Sequence, residues 1–283
     1  MNQENEETGL TDYWKGAAGQ QWAEAQALTD RMLKPFEDQL ASIIPDGGNV
    51  RVLDVGCGTG ATTAAIARKL GPKGQCVGID ISEPMIDAAR SRVEQAGIPA
   101  EFVLGDAAEE LFGPRSFDRI VSRFGVMFFD DFVRAFSRLR RTLRTDGELY
   151  AITWRCMEEN PFMTCAERAA APLLPALPAR DPDAPGQFAL ADKVRVCSIL
   201  EQSGWSGTRI VPVDTVCTFP EAELTTYLTR LGPVARALTE ADDGLKTKVL
   251  DSVRPAFAPY IYDGTVRFTA ACWRVTARGA ADD

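Results

Sequence analysis

The stretch that decides the fold is RVLDVGCGTG at residues 51–60. Its apolar first half is followed by three closely spaced glycines, a pattern typical of a strand that turns tightly into a helix. The glycines also satisfy the G-x-G-x-x-G/A pattern with which many domains bind dinucleotides. A single match of this kind is weak evidence. The sequence around the loop must therefore decide which nucleotide-like ligand it would hold.

Strand and helix signals alternate after this loop, and Gly or Pro marks the ends of several helix-like runs. This alternation indicates βαβ units, and therefore a parallel sheet with helices packed against it. We expect an α/β fold with a Rossmann-like, mostly parallel seven-stranded sheet flanked by helices and a helical cap over its carboxyl edge. The predicted strands are 50–55, 75–79, 101–104, 117–122, 147–154, 209–218 and 266–278.

Three successive predicted strands each lead to an aspartate, namely Asp54, Asp80 and Asp106. Both intervals are 26 residues, the length of one βα unit. Ligands of open parallel sheets bind at the carboxyl ends of the strands. The three carboxylates would therefore line one crevice.

Asp54 discriminates between possible ligands because it lies two residues before Gly56, close to where a pyrophosphate would bind. Like unit charges 4 Å apart repel by about 4 kcal/mol at an effective dielectric constant near 20. A ligand that carries an ammonium and a sulfonium group would instead be attracted. Asp80 suits the ribose of either ligand. The residues thus favour S-adenosylmethionine over a dinucleotide.

Four segments resemble, in the correct order, the motifs of class I S-adenosylmethionine-dependent methyltransferases. Within that class the chain is most similar to the small-molecule branch related to ubiquinone and menaquinone biosynthesis, closely over residues 50–155. The resemblance implies transfer of a methyl group to a small-molecule acceptor by in-line displacement. The segments are VLDVGCGTG at 52–60, GIDIS at 78–82, GDA at 105–107 and FDRIVS at 117–122.

The resemblance implies a role for each motif position. The loop glycines would let the backbone approach the methionine portion of the cofactor, whose ammonium would meet Asp54 and the backbone carbonyl of Ser122. Asp80 would accept the ribose hydroxyls, while Ile81, Asp106 and Ala107 would contact adenine. Cys57 is expected to be a small buried residue and not a nucleophile. The full predicted cofactor set is Trp14, Trp22, Asp54, Gly56, Cys57, Gly58, Thr59, Gly60, Asp80, Ile81, Met85, Gly105, Asp106, Ala107 and Ser122.

Residues 11–45 are predicted to be helical, with a bend or break at Pro35. Trp14 and Trp22 precede the sheet and could either pack the helix or line the cofactor pocket. The family resemblance favours the pocket, because in the family the N-terminal helix folds over the cofactor.

The acceptor side is less defined. Phe124, Trp154 and Asn160 follow predicted strands and are candidates for substrate contact. The Leu, Phe, Pro and Met content of the cap is compatible with an apolar or aromatic acceptor. An alcohol, phenol or carbon acid would need a base, whereas a carboxylate acceptor would not. The catalytic residues are unknown, and the candidates are Tyr13, Arg123, Glu158 and Tyr227.

Composition excludes several classes of protein. The 283-residue chain has no histidine, so a histidine base, a Ser-His-Asp triad or an HExxH zinc site is impossible. Its net charge of −9 argues against a nucleic-acid partner. The seven scattered cysteines form no CxxC pair, and no apolar run is long enough for a membrane span. We expect a cytoplasmic monomer or homodimer without a metal, acting on a small molecule.

The expected organisation is an N-terminal helical cap (1–45), a cofactor-binding core (46–155), a substrate lid (156–191 and 219–264), and two segments that complete the sheet (192–218 and 265–283). Two alternative functions remain open. The chain could bind S-adenosylmethionine without catalysis, or, less favoured by Asp54, it could be an NAD-dependent oxidoreductase.

Overall fold

The structure is a computed structural model that describes residues 10–109, 112–177, 180–181, 184–239 and 241–279. The outermost residues of the predicted N-terminal cap and of the predicted last strand segment therefore lie outside the described part. Among the described residues, no helix combines the length and the apolarity that a membrane crossing needs.

Three helices precede the sheet, α1 (Leu10–Lys15), α2 (Ala17–Glu24) and α3 (Gln26–Ser42). Of the bend or break predicted at Pro35, the break is wrong, because α3 passes through this residue without interruption. Gly16 and Ala25 separate the helices instead. A proline inside a helix costs about 3 kcal/mol, but the buried face of α3 packs on the core and offsets that cost.

The first half of the sheet follows the predicted alternation. Its elements are β1 (Arg51–Val55), α4 (Ala61–Leu70), β2 (Gln75–Asp80), α5 (Glu83–Ala96), β3 (Ala100–Leu104), β4 (Phe117–Arg123), α6 (Phe132–Thr142) and β5 (Leu143–Trp154).

The second half contains more helix than the sequence predicted between residues 155 and 190. Its elements are α7 (Pro161–Ala170), α8 (Lys193–Gln202), β6 (Trp205–Pro220), α9 (Leu224–Arg230), α10 (Gly232–Thr239), α11 (Asp243–Val253), β7 (Ile261–Tyr262) and β8 (Thr265–Gly279). A segment predicted to be a connection or lid thus includes α7. Short 3-10 helices cover Gly71–Lys73, Gly125–Phe128, Met157–Glu159, Glu221–Glu223 and Arg254–Tyr260.

The main path of the sheet has the order β3-β2-β1-β4-β5-β8-β6, and the short β7 pairs with β8 outside this path. Strands β1 to β5 pair in parallel, whereas β8 runs antiparallel to both β5 and β6. The predicted Rossmann-like, mostly parallel sheet with seven main strands is confirmed. The strand order reverses between β1 and β4, so this pair marks the switch point where ligands of such sheets bind.

Strands β6 and β8 continue beyond the end of β5. Trp154 at the end of β5 pairs with Cys272, but β8 remains paired with β6 back to Thr265. These seven residues extend about 23 Å past the neighbouring strand at 3.3 Å per residue. The extension carries an aromatic cluster centred on Phe162 of α7, which contacts Phe219, Tyr227, Phe257, Tyr260 and Phe268. This cluster holds α7 and α9 beside the carboxyl edge of the sheet.

Candidate functional site

The glycine loop after β1 has a backbone that other residues rarely adopt. Gly56, Gly58 and Gly60 have φ values of +66°, +53° and +78°, in the region that residues with a Cβ avoid. The amides of Gly56 and Cys57 both donate to the Ile79 carbonyl of β2, at 2.9 and 3.0 Å. The loop is therefore fixed to the neighbouring strand before α4 begins.

The loop contacts the segment after β4 through backbone alone. A Cβ on Gly56 would lie 2.5 Å from the Cα of Gly125, so neither position has room for a side chain. Ser122 at the end of β4 is fully buried, and its hydroxyl donates to the Val55 carbonyl at 2.8 Å. The same hydroxyl accepts from the Val126 amide at 3.1 Å. Sequence reasoning assigned Ser122 only a backbone role and missed this link across the switch point.

Asp80 at the end of β2 is bonded to the glycine loop. One carboxylate oxygen accepts from the Gly58 amide at 2.8 Å and the other from the Ser82 amide at 3.0 Å. Burial raises the pKa of Asp80, and the backbone hydrogen bonds from Ser82, Gly58 and Ile81 oppose that rise. A carboxylate has about four acceptor positions, so Asp80 can bind hydroxyl groups in addition to these two amides.

Asp54 lies inside β1 and is almost completely buried. Thr63, near the start of α4, donates a hydrogen bond of 2.6 Å to one of its oxygens. The other oxygen is buried and has no hydrogen-bond partner in the described part of the chain. Burial raises the pKa of Asp54 to about 6, against the opposing effects of Thr63 and of the charge on Arg123. An unpaired buried carboxylate is costly and suits a cationic ligand.

The third aspartate, Asp106, follows β3. Its side chain accepts from the Ala108 amide at 2.8 Å, and the Gly105 amide donates to the Asp80 carbonyl at 2.9 Å. The ends of β2 and β3 are thus joined directly. The structure brings Asp54, Asp80 and Asp106 to the carboxyl ends of three adjacent strands, as the spacing predicted.

The remaining loop residues are well packed. Cys57 is buried against Gly78, where a Cβ would come within 2.9 Å of the Cys57 sulfur. Burial raises the pKa of the Cys57 thiol well above its ordinary value, so it stays protonated and is not a nucleophile. Met85 is buried, with its sulfur 3.5 Å from where a Cβ of Gly58 would lie. Thr59 is also buried and accepts from Arg92 at 3.4 Å.

Helices α1 and α2 lie over this end of the sheet. The Trp14 ring is 5.1 Å from Phe128, just after β4, and 5.6 Å from Trp22. Gly19 of α2 approaches the start of α5 so closely that a Cβ there would collide with the Ser82 hydroxyl. The indole nitrogen of Trp14 and the Ser82 hydroxyl are both buried, with no partner among the residues described. The structure thus brings Trp14 and Trp22 next to the loops of the crevice.

Phe124 and Trp154 form one aromatic cluster. Their rings stack with centroids 4.7 Å apart and an angle of 10°, and Phe36 of α3 meets the Phe124 ring edge-on at 5.1 Å. Phe124 has a φ of +68°, a conformation that is rare for a bulky residue. Phe36 was missed by sequence reasoning, because its approach depends on how α3 packs on the sheet.

The structure argues against three of the predicted acceptor-side residues. Asn160 is buried, and both polar atoms of its amide have backbone partners: the oxygen accepts from the Ala271 amide, and the nitrogen faces the carbonyls of Ala271, Cys156 and Arg155. We therefore expect a structural role for Asn160. Tyr227 lies in the aromatic cluster around Phe162, where burial strongly raises its pKa.

Glu158 is a poor base as well. Its side chain is exposed, and hydrogen bonds from its own backbone amide and from Cys156 lower its pKa. A base for a sheltered acceptor must lie inside the site and hold the proton more tightly. Neither condition is met.

Tyr13 and Arg123 remain near the crevice. Tyr13 contacts Trp14 at 5.2 Å, and the Arg236 guanidinium lies 5.1 Å over its ring. Burial raises the pKa of Tyr13, while Arg236 and Arg180 act in the opposite direction. Arg123 is the last residue of β4 and has a buried guanidinium nitrogen without a hydrogen-bond partner in the described part. In the described residues, no group of three or more Cys, Asp or Glu side chains could hold a metal ion.

The strand order, the glycine loop and the three strand-end carboxylates define a Rossmann-like fold with a candidate nucleoside site at its switch point. Residues 52–147 match a family described as methyltransferase domain. The matched segment contains β1 from its second residue, β2 to β4, the loop and all three aspartates.

The chain is similar to several known methyltransferases. It is 36% identical over 117 residues to nocamycin O-methyltransferase of Saccharothrix syringae, covering 41% of this chain and 42% of that protein. It is 34% identical over 102 residues to demethylmenaquinone methyltransferase of Listeria welshimeri, covering 36% of this chain and 43% of that protein. The chain thus matches less than half the length of either relative.

A solved structure extends the likeness of the fold to most of the chain. The phosphoethanolamine N-methyltransferase 2 of Haemonchus contortus, in complex with S-adenosyl-L-methionine, superposes with a TM-score of 0.59 at 16% identity. The superposition covers 97% of this chain and 60% of that one. At this identity the likeness concerns the fold.

Proposed function

We propose that this protein transfers a methyl group from S-adenosylmethionine to a small-molecule acceptor. The observation that carries the proposal is the buried, half-unpaired carboxylate of Asp54 directly before a glycine loop in which Gly56 and Gly60 have no room for a side chain. A cationic, nucleoside-containing ligand satisfies both features at once. The methyltransferase family of residues 52–147 supports the same ligand.

The residues present fit that cofactor. When bound, S-adenosylmethionine supplies an activated methyl group on its sulfonium. Asp80 has acceptor positions left for ribose hydroxyls, and Asp106 lies one strand further for adenine. Asp54 would meet the ammonium group. The floor of the cofactor pocket would be formed by the loop glycines together with Cys57, Thr59 and Met85. Trp14 and Trp22 would lie above it.

The reaction we propose is an in-line displacement, in which alignment of the two reactants and exclusion of water supply most of the acceleration. Helices α1 and α2 would perform the exclusion, because they lie against Phe128 and Ser82 at the edge of the crevice. Phe124 and Trp154 would define the acceptor side.

We propose an apolar or aromatic acceptor. The aromatic side chains at this edge support it, since Tyr13, Trp14, Trp22 and Phe128 form one connected group. The similar proteins from Saccharothrix and Listeria are named for nocamycin and demethylmenaquinone. If the acceptor needs a base, Tyr13 is the candidate we retain. The net charge of −9 supports a small molecule over nucleic acid, and we propose a cytoplasmic monomer or homodimer.

We also propose a role for each segment of the chain. Residues 46–155 would bind the cofactor, 192–218 and 265–283 would complete the sheet, and the helical segments 1–45, 156–191 and 219–264 would cap the site. The extension of β6 and β8 past β5, together with the aromatic cluster on it, supports this division.

Ligand binding tests the cofactor. Thermal unfolding and isothermal titration with S-adenosylhomocysteine and with NAD separate the two nucleotide classes. We expect S-adenosylhomocysteine to bind in a one-to-one complex and to raise the unfolding temperature, and NAD to do neither. Selective stabilisation by NAD would overturn the assignment in favour of an oxidoreductase.

Turnover tests the reaction. Methyl-labelled S-adenosylmethionine is incubated with a panel of quinones, phenols, apolar carboxylic acids and amines. We expect label in at least one apolar or aromatic acceptor. Binding without label transfer to any member would favour a non-catalytic binding protein instead.

A further inference from the structure

Arg123 emerges from the sheet on the same side as Asp54. In the parallel pair of β1 and β4, Asp54 is the register partner of Val121, and paired residues of neighbouring strands share a face. Side chains alternate along a strand, so Arg123 lies on that face as well, two residues closer to the carboxyl edge. Its position is therefore diagonal to Asp54 at the switch point.

The Arg123 guanidinium has charged neighbours but no close ion pair among the described residues. Asp30 and Glu37 of α3 and Asp54 of β1 favour its charge, and Arg92 of α5 opposes it. Arg92 is already paired with Asp30 at 2.7 Å. One buried nitrogen of Arg123 and one buried oxygen of Asp54 are thus left without hydrogen bonds.

The charge of Arg123 favours ionisation of Asp54. Burial disfavours its charged form, and the nearby Asp80 disfavours it further. Three effects oppose them: the side-chain and backbone hydrogen bonds from Thr63 and the charge of Arg123. The other titratable groups near Asp54 are the thiols of Cys57 and Cys76, whose pKa values are raised well above the ordinary value, so they stay neutral at neutral pH.

We propose that Arg123 is a positioning residue: its buried guanidinium keeps the Asp54 carboxylate charged and so prepares the crevice for the ammonium group of the methyl donor. The inference rests on the proposed function, because a charged Asp54 matters only if an ammonium group binds there. Arg123 touches neither the donor nor the acceptor in this role. It acts through Asp54.

The test is the pH profile of ligand affinity, measured by isothermal titration between pH 5 and 7.5. Free α-amino groups remain mostly protonated there, since their pKa is about 8. The probe is S-adenosylhomocysteine, which carries the ammonium group. In the natural protein we expect affinity to rise with pH as Asp54 ionises. In Arg123→Met the midpoint of this rise should move up by about one pH unit or more, because an adjacent opposite charge shifts a carboxyl pKa by roughly one to three units.

Three matched variants and one matched ligand identify the titrating group. Arg123→Lys keeps the charge and should restore most of the natural profile. Thr63→Val removes the hydrogen bond to Asp54 and should also raise the midpoint. Asp54→Asn should abolish the rise of affinity with pH, whether Arg123 is present or replaced. The ligand 5′-methylthioadenosine has the ribose but no ammonium, so its profile should not respond to Arg123→Met.

The outcomes separate this inference from the proposed function. If S-adenosylhomocysteine fails to bind the natural protein at any pH, the proposed function fails. If it binds and Arg123→Met weakens it equally at every pH, or weakens methylthioadenosine as much, Arg123 is merely structural and the inference is overturned. Should Arg123→Met not fold, Arg123→Gln removes the same charge and is read in the same way.

Discussion

At the scale of single residues, the glycine loop is defined by backbone geometry. Gly56 has a positive φ and contacts Gly125 with its backbone, whereas Gly97 has a similar φ of +62° but open space around it. Comparing substitutions at the two positions therefore separates the effect of backbone strain from the effect of steric collision. Sequence alone showed that the loop is rich in glycine, but not which glycine makes the contact.

Replacing each of these glycines by alanine measures the difference. Gly97→Ala is expected to lower the free energy of unfolding by about 1–2 kcal/mol, the cost of a left-handed residue with a Cβ. Gly56→Ala adds overpacking against Gly125, for a total of about 2–5 kcal/mol. Urea unfolding gives both values. Equal losses in the two variants would mean that the close approach of the two loops is absent.

The buried Asp54 carboxylate lowers the stability of the ligand-free protein, and its proposed role in ligand binding explains its presence. Its pKa is raised from 3.8 to about 6, so the folded state binds the proton more tightly than the unfolded state does. Its contribution to stability is therefore present at low pH and is lost as pH rises through 6. Asp54→Asn cannot ionise. We expect it to stabilise the ligand-free protein, by about 2 kcal/mol more at pH 7.5 than at pH 4.5.

Urea unfolding at the two pH values measures this difference in stability. Titration with S-adenosylhomocysteine measures the affinity of Asp54→Asn for the ligand, which should be weaker than that of the natural protein. Stability curves of the natural protein and the variant that run parallel across this range would show that Asp54 has no raised pKa.

Asp80 has a matched control elsewhere in the sheet. Asp118 on β4 also accepts a backbone hydrogen bond, from the Arg51 amide at 2.7 Å, but at the opposite end of the strand. Asp80→Asn is expected to weaken S-adenosylhomocysteine roughly 10- to 100-fold, since hydrogen bonds to charged groups contribute about 1.5–3 kcal/mol. Asp118→Asn should affect stability alone. A comparable loss of affinity in both variants would remove Asp80 from the site.

At the scale of elements, Arg92 joins α3 to the glycine loop. From α5 it donates to Asp30 at 2.7 Å, to Gln26 at 3.3 Å and to Thr59 at 3.4 Å. Its neighbour Arg90 makes an exposed pair with Asp87 on the same helix and donates to the Phe102 carbonyl of β3 at 3.3 Å. The contacts of Arg92 reach α3 and the glycine loop, whereas those of Arg90 reach neither.

Arg92→Met is therefore expected to lower the unfolding free energy by about 1–2 kcal/mol and to speed dissociation of S-adenosylhomocysteine, because α3 is no longer held to the loop. Arg90→Met should change stability by at most about 1 kcal/mol, because its ion pair and its bond to Phe102 are exposed, and it should leave the release rate unchanged. Stopped-flow release kinetics and urea unfolding provide the comparison. Identical release rates for the two variants would contradict the role of Arg92.

Asn160 connects the end of β5 to β8 and shows what a local pattern cannot reveal. Its position after a strand end suggested substrate contact, but all its hydrogen bonds go to backbone groups of Ala271, Cys156 and Arg155. Asn160→Ala leaves buried backbone groups unpaired and is expected to cost about 2–4 kcal/mol of stability.

Affinity for S-adenosylhomocysteine should be unchanged in Asn160→Ala, and so should the KM for the acceptor once one is known. Asn160→Asp keeps the acceptor for the Ala271 amide but places a buried carboxylate oxygen against three carbonyls, so at neutral pH it should cost at least as much stability as Asn160→Ala. A raised KM with intact stability would return Asn160 to the substrate site.

At the scale of the whole molecule, the sequence predicted what depends on local pattern. The βα alternation, the loop glycines and the 26-residue spacing of the aspartates are signals within one or two elements, and the strands are where they indicated. The break predicted at Pro35 failed because the packing of α3 outweighs a local rule.

Contacts between distant segments of the chain could not be predicted from the sequence. The Ser122 hydroxyl reaches Val55 only because β4 lies beside β1, and the amide of Asn160 reaches Ala271 only because β8 returns antiparallel beside β5. Phe36 and Gly19 likewise gain their roles from how α2 and α3 pack. The alignment of the three aspartates could nevertheless be predicted, because parallel strands bring their carboxyl ends to one edge of the sheet.

A crystal structure of the protein with S-adenosylhomocysteine tests the proposed cofactor site most directly. We expect the ribose on Asp80, adenine beside Asp106, and the ammonium group next to Asp54 over the loop from Gly56 to Gly60. A ligand bound elsewhere in the molecule, or a crevice left empty at saturating ligand, would contradict the proposed site.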